Sequence, residues 1–449
     1  MIGTFIAAID IGKTNKRVVV FDDELNLVDE ARESIDEIEG PNGLRLENID
    51  AIEKFTDGAL ADLARRYPIC AVGISTHAGT WVGIDGSGRR SLPVIAYTND
   101  RAEAESDGLI AGMGGEDVLY EETATPRLPA FVNMGLGVAF AARHLPRQFS
   151  NTALILNFPQ YLGYRLTGEA AVERTYLGCH TYLWNVAHDS YSNLAQGVGY
   201  KDRAPGRPQP TRGLIRPIVE PCARRLGLKG GVMVHLGVHD SNAALATAMG
   251  EEADRTLMLS TGTWCVAMAP GNGRLTQADR DKGILLNIGV DGRPVRTSIY
   301  KAGALYAELR ASVAHVAQQH ADTGLEGEVN TTDPPRVRLP PVPDAELVAV
   351  EMAPGTQMPW EQALQKTAVT AGFEEMWFDA LGKAFAAEAW RQMEDVGLVG
   401  RTRVVVEGGF CHNRPFMAAL RKRAGDVAVE EAPDEQGSAR GAAMLAVAI

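Results

Sequence analysis

The chain has 449 residues, of which 45% are hydrophobic and 22% are charged, and its formal net charge is −13. This length exceeds one ordinary hydrophobic core, so we expect two or three domains. The acidic balance argues against a non-specific nucleic-acid surface, and no run of about 18 apolar residues predicts a membrane span. Asp10 interrupts the first apolar run, so we predict no secretory signal. The five cysteines are scattered without a CxxC motif, which is typical of reduced thiols in a cytoplasmic protein.

The first predicted element is a β-hairpin with strands over 5–9 and 17–21. Its turn, DIGKTNK at 10–16, combines an acid, a glycine, small polar side chains and basic residues. Such a turn suits a polyphosphate, because the glycine lets backbone N–H groups approach and the bases balance anionic charge. Asp10, near the end of a buried strand, is suited to hold hydrated Mg²⁺. An ordinary hairpin with a solvated turn is the structural alternative, because turns favour the same residues.

The next predicted elements are a third strand over 25–30 and a helix over 47–66, with Asp50 as its candidate N-cap. A buried strand over 69–75 leads into a polar segment and then into a hairpin whose turn lies at 85–88. Mostly helical patterns follow to about residue 174, and a helix over 157–168 ends at Gly168.

The segment GCHTYLWN at 178–185 has two interpretations. It is a strand or loop that packs Trp184 into the core, or a wall that contacts a sugar. Beyond it, a strand over 231–237 precedes Asp240, which we place at a strand end just before a helix that starts at residue 243. Functional carboxylates commonly lie at such a position. His235 and His239 suggest a zinc pair, but Gly237 breaks helical geometry and the sequence offers no third ligand nearby, so we predict no metal there.

A second strand–turn–strand unit, with strands over 256–260 and 265–269, echoes the first hairpin and suggests two domains of related architecture. We predict an N-terminal domain over 1–248 and a C-terminal domain over 249–449. The Pro-rich segment 330–360 is predicted to be a surface excursion. Helices over 362–396 and 415–424 flank a buried strand over 402–407 that ends in a Gly-Gly turn, and a small-residue helix over 438–448 closes the chain. A strand, a Gly-Gly turn and a helix form a notch of nucleotide size.

Four segments together resemble the FGGY carbohydrate kinases: DIGKTNKR at 10–17, GVHD at 237–240, STGTW at 260–264 and EGGFCHN at 407–413. The resemblance implies an α/β, two-domain actin-like ATPase (ribonuclease H-like) fold with a cleft between the domains. Within the family, GxTNxR, GTW and YLGYRLTG at 161–168 are most similar to L-fuculose and L-rhamnulose kinases. Lys13 stands where a small residue is usual, and Asn99 and Gln160 replace the usual aspartates. The segment THAG at 76–79 matches no subfamily closely.

The resemblance implies an enzyme that transfers the γ-phosphate of ATP, with Mg²⁺, to a hydroxyl of a ketose. The favoured substrates are 6-deoxyketoses such as L-fuculose or L-rhamnulose, phosphorylated at the terminal primary hydroxyl; xylulose, ribulose and erythritol are alternatives. We expect a small-molecule sugar as partner, without nucleic acid or membrane, and a homodimer is a possible assembly. A sugar-sensing regulator, a chaperone-like ATPase and an inactive sugar-binding relative are the other interpretations. The early first strand, the acidic charge and the chain end soon after residue 413 argue against the first two, and the presence of both Asp10 and Asp240 argues against the third.

The resemblance also implies the site residues. Asp240 is the expected general base, and Asp10 is the expected Mg²⁺ ligand. The residues expected to bind ATP are Gly12, Thr14, Asn15, Arg17, Gly262, Thr263, Gly408, Gly409 and Asn413. The residues expected to contact the sugar are His77, Trp81, Asn99, Arg101, His180 and Asp240. For His77 and Trp81, packing in the core under the hairpin is the alternative.

Overall fold

A computed structural model describes residues 4–99, 101–250, 252–271, 273–323, 335–341, 344–353, 355–367 and 372–447. The chain divides into two compact units. Unit 1 comprises Met1–Gly250, Gly271–Val295 and Gln436–Ile449, and unit 2 comprises Glu251–Pro270 and Arg296–Glu435. The predicted division after residue 248 lies beside the first change of unit, whereas two later segments return to unit 1. Within the described residues, no helix has the length and apolar character required to cross a bilayer.

The strands are short and spread along the whole chain. They are β1 (Phe5–Ile11), β2 (Asn15–Phe21), β3 (Leu27–Ser34), β4 (Ile38–Glu39), β5 (Arg45–Leu46), β6 (Ile69–Thr76), β7 (Trp81–Ile84), β8 (Leu154–Asn157), β9 (Trp184–Asn185), β10 (Ser190–Tyr191), β11 (Ile215–Pro217), β12 (Met233–His235), β13 (Val238–His239), β14 (Thr256–Thr261), β15 (Cys265–Pro270), β16 (Leu285–Ile288), β17 (Pro294–Tyr300), β18 (Arg336–Arg338), β19 (Ala349–Ala353), β20 (Thr356–Pro359), β21 (Arg403–Gly408) and β22 (Ala428–Glu431).

The helices include two of more than 20 residues, both in unit 2. They are α1 (Ile49–Arg66), α2 (Arg101–Gly112), α3 (Glu116–Thr123), α4 (Met134–His144), α5 (Pro146–Ser150), α6 (Phe158–Thr167), α7 (Arg174–Leu177), α8 (Asn193–Gly197), α9 (Glu220–Leu226), α10 (Asp240–Met249), α11 (Gln277–Asp281), α12 (Ala302–Thr323), α13 (Trp360–Thr367), α14 (Phe373–Val396), α15 (Arg414–Ala424) and α16 (Gly437–Val447).

The main sheet of unit 1 has the strand order β11-β12-β6-β1-β2-β3, with β13 also paired to β6. β1 forms the predicted hairpin with β2 and runs parallel to β6. β1 is apolar on both faces: Ala7 and Ile9 belong to the large core of the unit, whereas Ile6 and Ala8 belong to a smaller cluster with alanines of α16. A strand that is buried on both faces has a continuous run of apolar residues instead of an alternating pattern, and this explains the sequence of β1.

Helix α16 packs against the sheet and α10 through small residues. A Cβ atom on Gly73 of β6 would lie 2.2 Å from the carbonyl oxygen of Ala442, and a Cβ atom on Gly441 would lie 2.0 Å from that of Ala243. Neither position can therefore hold a larger residue without displacing backbone. This close packing fixes the axis of α10, whose first residue is Asp240.

In unit 2, β14 is antiparallel to β15 and parallel to β21. The same arrangement occurs in unit 1, where β1 is antiparallel to β2 and parallel to β6. The strands continue outward in the order β17-β15-β14-β21-β22. The parallel register places Thr261 opposite Gly408, so the turns that follow β14 and β21 lie side by side at one sheet edge.

Several predicted elements differ in detail. The side chain of Asn48, and not of Asp50, caps α1 by accepting a hydrogen bond from the backbone of Ala51. Helix α10 begins at Asp240 rather than at residue 243. The hairpin predicted around 85–88 forms only as an isolated bridge, and β7 instead pairs with β8.

In the C-terminal half, the predicted helix over 362–396 is covered by α13 and α14, with residues 368–371 outside the described part. The Pro-rich segment 330–360 contains the antiparallel sheet β18-β19-β20, and residues 330–334, 342–343 and 354 of that segment lie outside the described part.

Candidate active site

Asp10 lies near the carboxyl end of β1, where its side chain is buried among hydrogen-bond donors. Oδ2 accepts hydrogen bonds from Nη2 of Arg17 at 2.5 Å and from Oγ of Ser438 at 3.0 Å. Oδ1 accepts one from the hydroxyl of Ser75, which stands opposite Asp10 in the register of β1 and β6. A carboxylate offers about four acceptor positions, so these contacts leave Oδ1 able to accept further hydrogen bonds.

The basic residues of the first turn have partners within unit 1. Nζ of Lys13 pairs with Glu37 at 2.5 Å and also with Glu47, and it lies 4.7 Å from the centre of the Tyr97 ring. Nζ of Lys16 is buried and donates to the carbonyl oxygens of Lys13 and Ile35 at 2.6 and 2.9 Å.

Arg17, the third base, pairs with Asp10. Thr14 and Asn15 are exposed at the turn. The predicted role of this turn in phosphate binding therefore depends on its backbone and on these exposed side chains more than on the bases.

Asp240 is the first residue of α10, and its side chain is 27% exposed. Oδ1 accepts a hydrogen bond from the backbone N–H of Ser241 at 2.6 Å and lies 3.2 Å from Nε2 of His239. Burial, followed by the negative charge of Asp10, raises the pKa of Asp240 to about 6. A carboxyl group with this pKa is ionised at neutral pH yet accepts a proton more readily than an ordinary aspartate.

His77 is held by hydrogen bonds within unit 1 and lies near a buried acid. Its Nδ1 is 3.1 Å from the carbonyl oxygen of Ile11, and its Nε2 is 3.0 Å from Oγ1 of Thr80 and 3.7 Å from Oε1 of Glu47. Burial and the charge of Asp10 have the larger effects on the pKa of Asp240, and a charge on His77 would lower that pKa, so the two side chains are within electrostatic range. His77 is buried, as the core alternative predicts, and its contact with a sugar stays a prediction.

His180 is brought to His239, with ring centroids 5.9 Å apart in an edge-to-face arrangement. Its Nδ1 lies 3.2 Å from the carbonyl oxygen of Val132. Burial lowers the pKa of His180 to about 4 and that of His239 to about 3, so both rings are neutral at neutral pH. In the segment 178–185, Trp184 packs in the core, as the structural interpretation predicts, while His180 lies against His239. The contact of this segment with a sugar stays a prediction.

The structure does not bring the other three predicted sugar contacts to this group. Trp81 packs in the hydrophobic core, with its ring centroid 6.5 Å from that of Phe149. The side-chain amide of Asn99 is hydrogen-bonded to the backbone through both of its polar atoms. Oδ1 accepts from the N–H of Arg45 at 2.8 Å, and Nδ2 donates to the carbonyl oxygens of Arg45 at 2.9 Å and of residue 96 at 2.7 Å. Arg101 is exposed and donates to the carbonyl oxygen of Asn42 at 3.2 Å.

In unit 2 the two predicted nucleotide turns are neighbours. Gly408 has a φ of +90°, and a Cβ atom there would lie 1.9 Å from the carbonyl oxygen of Thr261. The hydroxyl of Thr261 joins the turns by donating to the carbonyl oxygen of Glu407 at 2.6 Å and accepting from the N–H of Phe410 at 3.1 Å. The backbone next to Gly262 and Thr263 is equally crowded, since a Cβ atom on Gly303 would lie 1.9 Å from the carbonyl oxygen of Gly262.

The side chain of Asn413 makes two hydrogen bonds within unit 2. Its Oδ1 caps α15 by accepting from the N–H of Phe416 at 3.0 Å, and its Nδ2 donates to the hydroxyl of Tyr306 at 2.8 Å. Gly409, in the same turn, begins a 3-10 helix, and apart from its chain neighbours a Cβ atom there would meet no atom of the described residues within 4 Å. Backbone groups at this open turn are the donors that a nucleotide could meet.

An Mg²⁺ ion fits the donor set of unit 1. Oxygen ligands suit this hard cation, and Oδ1 of Asp10 keeps acceptor capacity for a water of its hydration shell. The charge of Asp10 raises the pKa of Asp240, so the two carboxyl groups repel each other in a region that an added cation would stabilise.

Sequence reasoning missed several residues that build the site. Glu47 was considered only as the start of a helix, and Ser75 and Ser438 were read as parts of a strand and a helix. No local signal marks them, because each meets its partner across a long sequence separation. His239 was considered only as a metal ligand, although its position next to Asp240 could have indicated a site role.

The N-terminal domain model of the FGGY family of carbohydrate kinases matches residues 5–247, and a carbohydrate kinase FGGY C-terminal domain model matches residues 253–342. Among curated proteins, Rhamnulokinase of Yersinia pestis and of Yersinia pseudotuberculosis is 26% identical over 272 residues, which is 58% of this chain and 53% of the relative. The chain thus spans about half the length of the curated relatives it matches.

Solved structures cover nearly the whole chain. A carbohydrate kinase from Novosphingobium aromaticivorans has a TM-score of 0.74 at 24% identity, covering 98% of this chain and 90% of its own. A gluconate kinase from Lactobacillus acidophilus has a TM-score of 0.77 at 16% identity, covering 99% and 89%. A xylulose kinase from Rhodospirillum rubrum has a TM-score of 0.75 at 18% identity, covering 98% and 90%.

These likenesses confirm the predicted two-domain α/β fold of the actin-like ATPase type. The N-terminal family model alone spans more than half of the 449 residues. The chain belongs to the FGGY family of carbohydrate kinases.

Proposed function

We propose that this chain is an ATP-dependent sugar kinase that phosphorylates the terminal primary hydroxyl of a ketose. The observation that carries this proposal is the carboxyl group of Asp240, which is partly exposed at the start of α10 and has a pKa raised to about 6. Family membership and the match to Rhamnulokinase relatives support the reaction class.

In the proposed reaction, Asp240 accepts the proton of the sugar hydroxyl as the hydroxyl oxygen forms a bond to the γ-phosphorus of ATP. The bond between that phosphorus and the bridging oxygen breaks, and ADP leaves. His239, with Nε2 at 3.2 Å from Oδ1 of Asp240, orients the base. Asp10 would hold Mg²⁺ through water, and the bound ion would neutralise phosphate charge.

The proposed sugar site includes Asp240, His77 and His180, and its neutral and ionised side chains suit hydroxyl groups. We favour a 6-deoxyketose such as L-rhamnulose or L-fuculose, in agreement with the matched relatives. In such a sugar the sixth carbon is a methyl group, so the first carbon carries the primary hydroxyl that would be phosphorylated. We propose that the nucleotide contacts the turns of unit 2 at 262–263 and 408–409.

The test is coupled ADP release from MgATP with a panel of ketoses and polyols: L-rhamnulose, L-fuculose, both ribuloses, both xyluloses, glycerol and erythritol. We expect strong turnover with one 6-deoxyketose. Asp240→Asn should lower kcat on that sugar by about 10²–10⁴, because the amide cannot accept the proton, while the affinity for ATP changes little.

The matched control is Asp62→Asn, an equal change at an exposed i,i+3 ion pair on α1, which should leave kcat unchanged. Turnover of Asp240→Asn at the wild-type rate would contradict the assignment of the base. ATP binding without turnover on any sugar would contradict the kinase proposal and favour a non-catalytic sugar-binding protein.

A further inference from the structure

Three side chains of unit 1 could together bind a metal ion, a role that the proposed reaction does not use. Ligand atoms of Cys179, His180 and His239 lie within 4.8 Å of one another, and all three residues are buried. Cys179 and His180 follow the short helix α7, whereas His239 comes from β13, so the fold assembles the cluster from two distant segments. His235, the other histidine of the rejected zinc pair, lies apart from the cluster and bonds the carbonyl oxygen of Thr211 through Nε2 at 2.8 Å.

His180 is oriented as a metal ligand. Its Nδ1 lies 3.2 Å from the carbonyl oxygen of Val132, so the ring proton resides on Nδ1 and the lone pair on Nε2. Metal-bound histidines almost always donate their other N–H to a carbonyl or carboxylate in this way. A ring prepared like this needs no change of tautomer to bind a cation.

Asn242, a neighbour of His239, can set the tautomer of the His239 ring that metal binding requires. The side-chain amide of Asn242 lies 2.9 Å from Nδ1 of His239, while its Oδ1 is buried and has no hydrogen-bond partner within the described part of the chain. Exchanging the amide oxygen and nitrogen would let Oδ1 accept from an Nδ1–H group. With the Asn242 amide nitrogen against Nδ1, the ring proton is on Nε2 and faces Oδ1 of Asp240. When a metal binds, the exchange moves this proton to Nδ1, which gives the buried oxygen a partner and frees the lone pair of Nε2.

Cys179 completes the set. Its thiol donates a hydrogen bond to the carbonyl oxygen of Tyr176 at 3.0 Å, and its Sγ lies within 4.8 Å of the ligand atoms of His180 and His239. The backbone there is held close: a Cβ atom on Gly178 would lie 2.8 Å from the carbonyl oxygen of Arg174. One sulfur and two imidazole nitrogens are the ligands that Zn²⁺ and similar thiophilic ions prefer, and three protein ligands leave a fourth position open.

We propose that Cys179, His180 and His239 form a binding site for a thiophilic transition-metal ion of the Zn²⁺ class, and that occupancy inhibits the enzyme. The metal replaces the thiol proton of Cys179, which leaves to solvent, and no oxidant or reductant is needed. Nε2 of His239 lies 3.2 Å from Oδ1 of Asp240, so a metal on this nitrogen also attracts the carboxylate of the base. Asp240 then cannot accept the sugar proton.

The binding test uses Co²⁺ as a spectroscopic probe of the whole protein. We expect a thiolate-to-Co²⁺ charge-transfer band that Zn²⁺ abolishes by displacement. Cys179→Ser, which keeps a hydroxyl in place of the thiol, should lose the band, and Cys179→Ala should do the same. Cys222→Ser is the matched control, because the Cys222 thiol of unit 1 makes a similar contact to the carbonyl oxygen of Arg165 at 3.2 Å.

The inhibition test measures turnover against free Zn²⁺ at fixed MgATP. Zn²⁺ should inhibit the wild type and Cys222→Ser alike, and the concentration for half inhibition should rise at least about tenfold in Cys179→Ser. This arm rests on the proposed kinase function, whereas the Co²⁺ band requires no turnover. A failure of the metal-site proposal can therefore be distinguished from a failure of the kinase proposal.

A wild-type protein without the charge-transfer band would overturn the site, and this result needs no variant. An unchanged band in Cys179→Ser would overturn it as well. Zn²⁺ inhibition that is equal in wild type and Cys179→Ser would overturn the inhibitory role and leave the kinase proposal intact.

Discussion

At the scale of single residues, two basic groups of the first turn are held in place by acidic partners within unit 1. Lys13 meets Glu37 and Glu47, and Arg17 meets Asp10. A buried charge is costly unless it is paired, so these pairs fix both partners. The basic turn that suggested phosphate binding is thus also a structural cross-link between β1, β2 and the segment before α1.

Glu47 gives a pH-dependent prediction. Burial opposes its ionisation, but the His77 ring, whose Nε2 lies 3.7 Å from Oε1, and Lys13 outweigh burial and lower the pKa of Glu47 from 4.5 to about 2. Because the pKa of the folded state is depressed, the ionised group stabilises the fold above pH 4.5, and this contribution is lost as the pH falls towards 2. Glu47→Gln should lower the free energy of unfolding by up to about 3 kcal/mol near pH 7.

The measurement is urea unfolding, followed by tryptophan fluorescence, from neutral pH down to about pH 3. The difference between Glu47→Gln and wild type should shrink steadily as the solution is acidified. Glu39→Gln, at an exposed position of β4, is the control and should match the wild type throughout. A difference that stays constant with pH would mean that lost packing, and not lost charge, explains the effect.

At the scale of elements, glycine positions decide how closely α16 approaches its neighbours. Gly441 faces the backbone of α10 at Ala243. A Cβ atom on Gly58, in the middle of α1, would instead meet no atom within 4 Å beyond its own stretch of helix, within the described residues. Both are helical glycines with ordinary negative φ, so the same substitution tests the packing alone.

Gly441→Ala should destabilise unit 1 by about 1–3 kcal/mol, because the added methyl group forces α16 away from α10. Gly58→Ala should instead stabilise it by about 0.5–1 kcal/mol, since alanine loses less backbone entropy in a helix. Thermal and urea unfolding of the two variants check the opposite signs. Stabilisation by Gly441→Ala would show that the helices can separate without cost.

The elements that the sequence predicted well are those with a strong local pattern. The hairpins β1-β2 and β14-β15, the buried strand β21 and the end of α6 at Gly168 follow from apolar periodicity and from glycine's freedom at a φ of +73°. The pairing of β7 with β8 could not be predicted, because its partners lie about seventy residues apart and no local pattern encodes the choice.

The residues of the candidate site also fall into two groups: those that a local sequence pattern indicates and those that it does not. Asp10 and Asp240 were predicted as site residues because Asp10 lies near the end of a strand, Asp240 directly follows one, and both belong to motifs of the family. Asn99 was predicted to contact the sugar, but its side-chain amide is hydrogen-bonded to the backbone of Arg45, which the sequence could not reveal. The cluster of Cys179, His180 and His239 was missed for the same physical reason: its third ligand is near in space and remote in sequence.

At the scale of the whole molecule, the chain order and the compact units do not coincide. Unit 1 is assembled from three segments, and the last of them is little more than α16. That helix buries five apolar side chains against unit 1, and its Ser438 donates to Asp10 at 3.0 Å. The C-terminal segment is therefore part of the site-bearing unit, although it follows the whole of unit 2 in sequence.

Removing residues 436–449 should abolish the folding of unit 1, because β1, β6 and α10 would lose the helix that covers them. Unit 2 keeps all of its own segments, and we expect it to retain its core. Hydrogen exchange with mass spectrometry should report lost protection in β1, β6 and α10 and preserved protection in β14 and β21. Full-length Ser438→Ala, which removes one hydrogen bond and leaves the helix in place, should keep protection in all five elements. Preserved protection of β1 and β6 in the truncated chain would mean that the sheet of unit 1 is stable without its covering helix.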